Sequence, residues 1–178
     1  MLKRLLQIAV GLALGYGADV GAEDSRLTFW NQQRRGANCF NKAITTNYFQ
    51  SARSAGIEFI RLAPDKWKPQ HRDFLIGNAD QFEGLAPEDL KQLKVVLDAA
   101  HAAGVKVVLT MISLPGARWR QLNGGKDDDR LWRDAKFMAQ AEQFWTQLAG
   151  ELKAHPAIVG YNPLNEPHPE RGDGLNDF

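Results

Sequence analysis

The feature that most constrains the fold of this chain is a regular alternation of short apolar segments with longer amphipathic ones. Apolar runs typical of buried strands end in polar residues, and each is followed by a segment with hydrophobic residues at helical spacing. Predicted strands lie at 34–40, 57–62, 105–110 and 158–166, and predicted helices at 45–54, 87–103 and 131–154. Strands that alternate with helices form parallel sheets through right-handed crossovers. The sequence therefore predicts an α/β fold with about four parallel strands and three helices.

The connections between these segments differ in length at the two ends of the predicted sheet. Those from strand to helix, at 63–86 and 111–130, are long and contain Trp, Asn and charged residues. Those from helix to strand are only the pairs Ala55-Gly56, Ala103-Gly104 and His155-Pro156. An open four-stranded sheet and half of an eight-stranded barrel both fit the order of elements. Because the long, polar connections all lie at one end of the predicted sheet, the N-terminal half of a (β/α)8 barrel is favoured, with its site at the C-terminal ends of the strands.

The first 22 residues have the pattern of a secretory signal peptide. A basic start, Met1 to Arg4, precedes an apolar segment that is short for a membrane span, and small residues follow before Glu23. An uncleaved anchor or a buried helix is the alternative. We therefore expect a secreted or periplasmic protein whose single domain, residues 23–178, has no membrane association after cleavage.

Composition excludes several other classes of protein. The 22 Lys and Arg residues nearly balance the 21 Asp and Glu residues, and no basic face suggests a nucleic-acid partner. Cys39 is the one cysteine, so no internal disulfide forms, and its apolar context predicts burial. The charged run at 126–130 is interpreted as a solvated loop rather than a cation site. The four histidines, His71, His101, His155 and His168, lack metal-ligand spacing.

The chemistry is expected at Glu166, which ends the fourth predicted strand. Asn165 precedes it and Pro167 follows it, while Trp and Arg residues occupy the neighbouring loops. Glycosidic cleavage requires a carboxylic acid near the leaving oxygen, a second carboxylate, and hydrogen bonds to sugar hydroxyls. These neighbouring residues favour carbohydrate chemistry over a simple capping or ion-pairing role for the glutamate.

Four segments in order resemble glycoside hydrolase family 5, the cellulase-type barrels. The segment 155–161 running into Leu164-Asn165-Glu166-Pro167 resembles the signature of the fourth strand, and 35–38 and 59–62 resemble strands one and two. Pro115-Gly116 lies where the loop after strand three often carries the same pair. The resemblance covers roughly residues 27–170 and implies an N-terminal half-barrel, truncated after strand four.

The resemblance also implies roles for single residues. Glu166 would be the general acid and then the base of a retaining hydrolase, Asn165 would bind the sugar 2-hydroxyl, and Arg61 would orient the nucleophile. An ion pair of Arg61 with Glu58 or Asp65 is the structural alternative. The implied substrate is a β-linked glucan or mannan-type polysaccharide or oligosaccharide, and no metal or organic cofactor is implied.

The sequence departs from the family pattern at two places. Ile112 stands where the family usually has a substrate-binding histidine. The family's nucleophile is a glutamate on strand seven, and no residue of this chain matches it, so we expect the chain alone to be inactive. A catalytically inactive carbohydrate-binding or interaction module on a half-barrel, and an independent four-stranded domain, are the rival interpretations. The open half-barrel could also self-associate.

Several further residues are candidates for sugar binding. Trp67 and Trp119 lie in the long loops, where an indole either stacks on a sugar or packs the loop down. Asn38 lies near the end of the first strand and either approaches the cleft or packs in the core. His168 follows the signature and either lines the cleft or is simply exposed to solvent. Trp132 and Trp145 are assigned to the third helix and to the core.

Overall fold

The computed structural model describes residues 26–45, 47–67 and 71–169. The chain divides into two compact units, Met1–Arg34 and Arg35–Phe178. In the described part of the first, the Arg34 side chain donates to the Phe29 carbonyl oxygen at 2.7 Å. The predicted signal peptide, residues 1–22, lies outside the described residues. Over those that are described, no helix has the length and apolarity that crossing a bilayer requires.

The second unit alternates strands and helices as predicted. Its four strands are β1 (Gly36–Cys39), β2 (Phe59–Leu62), β3 (Lys106–Thr110) and β4 (Ile158–Asn162). Its three α-helices are α1 (Tyr48–Ser54), α2 (Pro87–Ala102) and α3 (Ala135–Leu152). Short 3-10 turns at Pro64–Trp67, Arg120–Leu122 and Arg130–Trp132 lie in the long connections between strand and helix.

Two predicted helix starts are wrong. The helix predicted from residue 45 begins at Tyr48, and its N-cap is Asn47, which makes no side-chain cap hydrogen bond. The helix predicted from residue 131 begins at Ala135, because the carboxylate of Asp134 accepts the Lys136 N–H at 2.9 Å and caps the helix there. Trp132 therefore belongs to a 3-10 turn in the loop and not to α3.

All strand pairs are parallel, and their order in the sheet is β1-β2-β3-β4. Asn38, Arg61 and Val108 lie in one row across the first three strands, with Gly160 beside Val108. Because successive side chains point to opposite faces of a strand, this row and the residues two positions away share one face. The register thus brings the polar ends of the strands to one edge and one face.

The two faces of the sheet differ in burial. One packs against the helices and is closed: Ile60, Leu62, Val107 and Leu109 are all buried in the main hydrophobic cluster. Cys39 belongs to the same cluster, which confirms its predicted burial. The opposite face holds the buried Thr110. Its other residues are exposed or half-buried; these are Gly36, Asn38, Phe59, Arg61, Lys106, Val108, Gly160 and Asn162. This second face is the inner layer of a half-barrel that is open on one side.

Candidate active site

A polar network joins the carboxyl ends of all four strands, with Arg61 at its centre. The Arg61 guanidinium donates to Oδ1 of Asn165 at 3.0 Å, to Oγ1 of Thr110 at 3.3 Å and to Oδ1 of Asn38 at 3.5 Å. It also donates to Oδ1 of Asn162 through two of its nitrogens. Thr110 donates its hydroxyl proton to the same Asn162 oxygen at 2.8 Å. One side chain thereby organises the strand ends into a single surface.

The sequence interpretation did not include Thr110 and Asn162 in this network. Each is the last residue of its strand, and each lies on the inner face. A polar residue that closes an apolar strand was the signal available for both. The sequence alone, however, could not show that both reach the same guanidinium.

The positive charge of Arg61 has no carboxylate partner among the described residues. Every acceptor of its hydrogen bonds is a neutral amide or hydroxyl oxygen. The ion pairs considered as alternatives do not form: Glu58 accepts the Arg35 N–H at 3.0 Å, and Asp65 accepts two other backbone N–H groups. A half-buried guanidinium held by neutral groups is suited to attract an anion.

The fourth strand was predicted to run to Glu166, but β4 ends at Asn162, so Asn165 and Glu166 lie in the connection that follows it. The backbone N–H of Asn165 donates to the Met111 carbonyl oxygen at 2.8 Å, which fixes this connection to the end of β3. Glu166 has φ of +48°, in the left-handed region that non-glycine residues rarely adopt. Its side chain is exposed and makes no hydrogen bond within the described part of the chain. The network therefore fixes Asn165, while the glutamate next to it faces open space.

Two cavities share the lining residues Ile112, Trp119, Asn165 and Glu166. One, of about 490 Å³, is lined by Asn38, Phe40, Arg61, Lys66, Ile112, Trp119, Asn165 and Glu166. The other, of about 510 Å³, extends from Glu166 along the loop after β3, past Trp119 and Trp132 to residues 127–129 and His168. In the first cavity, Glu166 is the single carboxylate among the described lining residues. Together the two cavities form an extended cleft that is large enough for sugar rings.

The structure separates the two candidate tryptophans. Trp119 lines both cavities, and the Lys66 ammonium lies 5.4 Å from the centre of its ring. Trp67 lines neither: its indole N–H donates to the Asn41 carbonyl oxygen at 2.9 Å, and its ring packs edge-on against Phe74. Trp67 therefore packs its loop down in this structure, and its stacking on a sugar stays a prediction.

Trp132 is a lining residue that the sequence interpretation placed in the core. It is half-buried in the turn Arg130–Trp132 and faces the larger cavity. Asp134, two residues later, was the available signal, because an N-cap residue there excludes Trp132 from the helix. His168 lines the larger cavity and Asn38 the smaller one, and both side chains are exposed.

Asp65 is a buried carboxylate behind the cleft that the sequence interpretation did not identify as functional. It is 3% exposed in the turn directly after β2. Its two oxygens accept the backbone N–H groups of Ile112 at 2.9 Å and Ser113 at 2.8 Å. Burial raises the pKa of Asp65 to about 7, although these two hydrogen bonds act in the opposite direction.

The charged run at 126–130 is not simply a solvated loop. The Asp128 side chain is 4% exposed and bonds Nε of Arg130 at 2.7 Å and the backbone N–H of Arg118 at 3.1 Å. Burial alone would raise the pKa of Asp128, but these hydrogen bonds hold it below the usual value. Arg118 in turn bonds the buried Asp73 at 2.9 Å. The run thus ties the loop after β3 to the loop after β2, and the described residues contain no cluster suited to a metal ion.

Gly116 allows the loop after β3 to pass close to α3. Its φ is +72°, and a Cβ at this position would lie 2.5 Å from the ring of Phe137. Its N–H donates to the Ala79 carbonyl oxygen at 3.0 Å, and its own carbonyl oxygen accepts the Leu131 N–H at 2.8 Å. These bonds fasten the wall of the larger cavity, which gives the Pro115-Gly116 pair a structural reason.

Comparison with known proteins places these features in one family. The sequence model of cellulase (glycosyl hydrolase family 5) matches residues 19–177. A β-xylosidase from Phanerodontia chrysosporium is 33% identical over 86 residues, which make up 47% of this chain and 18% of that protein.

Solved structures show the same arrangement of strands. The Pseudomonas stutzeri endoglucanase Cel5A, solved in complex with cellobiose, aligns over 81% of this chain and 44% of its own with a TM-score of 0.57 and 23% identity. A GH5_18 protein from Bifidobacterium longum subsp. infantis aligns over 74% of this chain and 32% of its own with a TM-score of 0.54 and 14% identity. The chain spans less than half the length of these relatives. The predicted fold class, the N-terminal half of a (β/α)8 barrel, is confirmed.

Proposed function

Because this chain belongs to the cellulase family, glycosyl hydrolase family 5, we propose that it forms the acid/base half of the active site of a retaining β-glycoside hydrolase. The observation that carries the proposal is the network that holds Arg61 and Asn165 beside Glu166 at the strand ends. In parallel barrels this end of the strands carries the chemistry. The substrate we propose is a β-linked polysaccharide of the glucan or mannan type.

Glu166 is the proposed general acid. It lines the cleft, and within the described part of the chain its exposed carboxyl group makes no hydrogen bond that would occupy it. In a retaining mechanism this group gives its proton to the leaving oxygen and then removes a proton from the attacking water. Its position in the lining shared by the two cavities would place the bond to be cleaved between sugars bound on either side.

Asn165 is the proposed contact to the sugar hydroxyl next to the reacting carbon. Its carbonyl oxygen is engaged by Arg61, so its amide N–H groups are the ones left to donate to a hydroxyl. Because both its backbone and its side chain are held, it can position a sugar without losing much conformational freedom.

Arg61 is the proposed partner of the nucleophile. Its hydrogen bonds go to neutral acceptors and no described carboxylate neutralises it, which suits a site that receives one more carboxylate. A retaining mechanism requires that second group about 5–5.5 Å from the first. In the cavity of Arg61 the described residues supply Glu166 and no other carboxylate. We therefore propose that the nucleophile is not among the described residues.

Titration with cellobiose, followed by backbone amide NMR, tests the proposed binding site. We expect shifts at Asn165 and Glu166 and at the Trp119 indole. Asn165→Ala should weaken binding about fivefold, because one hydrogen bond is lost. Asn47→Ala, on the helix layer, serves as the matched control and should bind like the original chain. Shifts confined to other surfaces, or equal binding by both variants, would contradict the proposal.

A carbohydrate-binding module without catalysis is the second candidate. It is favoured by one observation, the single carboxylate in the cavity of Arg61. This candidate shares the binding site and differs only in having no role for the acidity of Glu166. Glu166→Gln would then leave both cellobiose binding and every cleavage assay unchanged.

A further inference from the structure

Asp65 connects the ends of two neighbouring strands through a single buried carboxylate. It lies three residues beyond the end of β2. Its oxygens accept the backbone N–H groups of Ile112 and Ser113, which follow the end of β3. Each oxygen takes one N–H group, at 2.9 and 2.8 Å. In a buried place, these two backbone donors have no water to replace the carboxylate if it is lost.

The two residues held by Asp65 lead directly to the cleft wall. Ile112 lines both cavities. Ser113 is buried, and its hydroxyl oxygen accepts the backbone N–H of Trp119 at 3.0 Å. Lys66, next to Asp65 in sequence, lines the smaller cavity, and its ammonium lies 5.4 Å from the centre of the Trp119 ring. Asp65 itself lines neither cavity.

We propose that Asp65 is a positioning residue that fixes the aromatic wall of the cleft by holding Ile112 and Ser113, and through Ser113 the backbone of Trp119. It acts through other residues and touches no substrate. The inference rests on the proposed function only in that the wall belongs to a sugar-binding cleft.

The protonation state of Asp65 sets how strongly the wall is held. The ionised carboxylate accepts both N–H groups, whereas a protonated one carries a donor on one oxygen and accepts less well there. Burial places this change near neutral pH, since the pKa of Asp65 is raised to about 7. The other charged groups around it are Asp73, which Arg118 from the loop after β3 neutralises, and Lys66 on the same turn. The wall should therefore loosen as the pH falls through this value.

Backbone amide NMR of the full chain between about pH 5 and pH 9 tests the proposal without a sugar ligand. We expect the amide signals of Ile112, Ser113 and Trp119 to move together with one midpoint near pH 7. Asp65→Asn should remove this common transition. Asp127→Asn, an exposed carboxylate at the rim of the larger cavity, should retain it.

Two results would overturn the proposal. A transition at Ile112 and Ser113 without one at Trp119 would show that the carboxylate holds its neighbours but not the wall. No transition at any of the three amides over this pH range would show that ionisation of Asp65 does not control them. The titration of the unsubstituted chain decides both points, even if Asp65→Asn does not fold. Because no sugar is present, failure here is distinct from failure of the proposed function.

Discussion

Gly116→Ala should destabilise the chain for two separate reasons. The residue has φ of +72°, where a Cβ costs about 1–2 kcal/mol in the left-handed region. The added Cβ would also lie 2.5 Å from Cγ of Phe137, a buried residue of α3. Overpacking of this kind costs about 1–3 kcal/mol more. The expected loss in the free energy of unfolding is therefore about 2–5 kcal/mol.

Gly124→Ala is the matched control, because it places a Cβ in the left-handed region but causes no overpacking. Its φ is +64°, and nothing lies within 4 Å of the position of its Cβ. Urea unfolding followed by tryptophan fluorescence should show Gly116→Ala less stable than Gly124→Ala by about 1–3 kcal/mol, with similar denaturant slopes. Equal losses in the two variants would refute the close approach of this loop to α3.

Three further predictions follow from the buried charges and the thiol. Arg118→Ala should lower the free energy of unfolding by about 3–5 kcal/mol, because it leaves Asp73 buried and unpaired. Arg120→Ala removes an exposed ion pair and should lower it by less than about 1 kcal/mol. Similar losses for the two variants in denaturant unfolding would contradict this prediction. The pKa of Asp65 is about 7 in the folded chain against an ordinary value of 3.8. Its contribution to stability is therefore present below about pH 4, and at most about 4 kcal/mol is lost as the pH rises to about 7. Asp65→Asn should remove this dependence of the free energy of unfolding on pH, and the same dependence in both proteins would contradict the prediction. Cys39 is 1% exposed, so its reaction with a thiol reagent should occur only as fast as the chain opens, and rapid modification in the absence of denaturant would contradict its burial.

The order of the strands and the location of the site could be predicted from the sequence. Parallel strands place their carboxyl ends at one edge, so Asn38, Arg61 and Asn165 were expected to come together there. In the structure the guanidinium of Arg61 donates to both Asn38 and Asn165. Local sequence sufficed because each residue lies at or just beyond the carboxyl end of an apolar segment, and the connections from strand to helix are visibly longer than those from helix to strand.

The residues behind the cleft wall could not be predicted in the same way. Asp65 bonds backbone groups 47 and 48 residues away, and backbone groups leave no mark in the sequence. The sequence does not distinguish Asp128 from its acidic neighbours Asp127 and Asp129. In the structure it is the one whose side chain is buried, through its contacts with Arg130 and with the backbone of Arg118. Trp132 was misplaced because the hydrophobic period of α3 continues past the cap at Asp134. For Asp65 and Asp128 the deciding interactions join segments that the fold brings together, whereas the cap at Asp134 that excludes Trp132 from α3 is local.

The most direct test of the account is the cleavage of phenyl β-cellobioside by the purified chain and by Glu166→Gln, each in buffer and with added azide. Azide can act as an external nucleophile: it forms a bond to the anomeric carbon as the bond to the phenolate oxygen breaks, while Glu166 gives its proton to that oxygen. Phenolate is a poor leaving group, so its departure depends on this proton. The account predicts no release of phenol in buffer by either protein, and azide-dependent release by the chain that retains Glu166. Release in buffer that Glu166→Gln abolishes would show that these 178 residues, or a second copy of them, already supply the other carboxylate. Azide-dependent release that is undiminished in Glu166→Gln would show that this glutamate is not the acid.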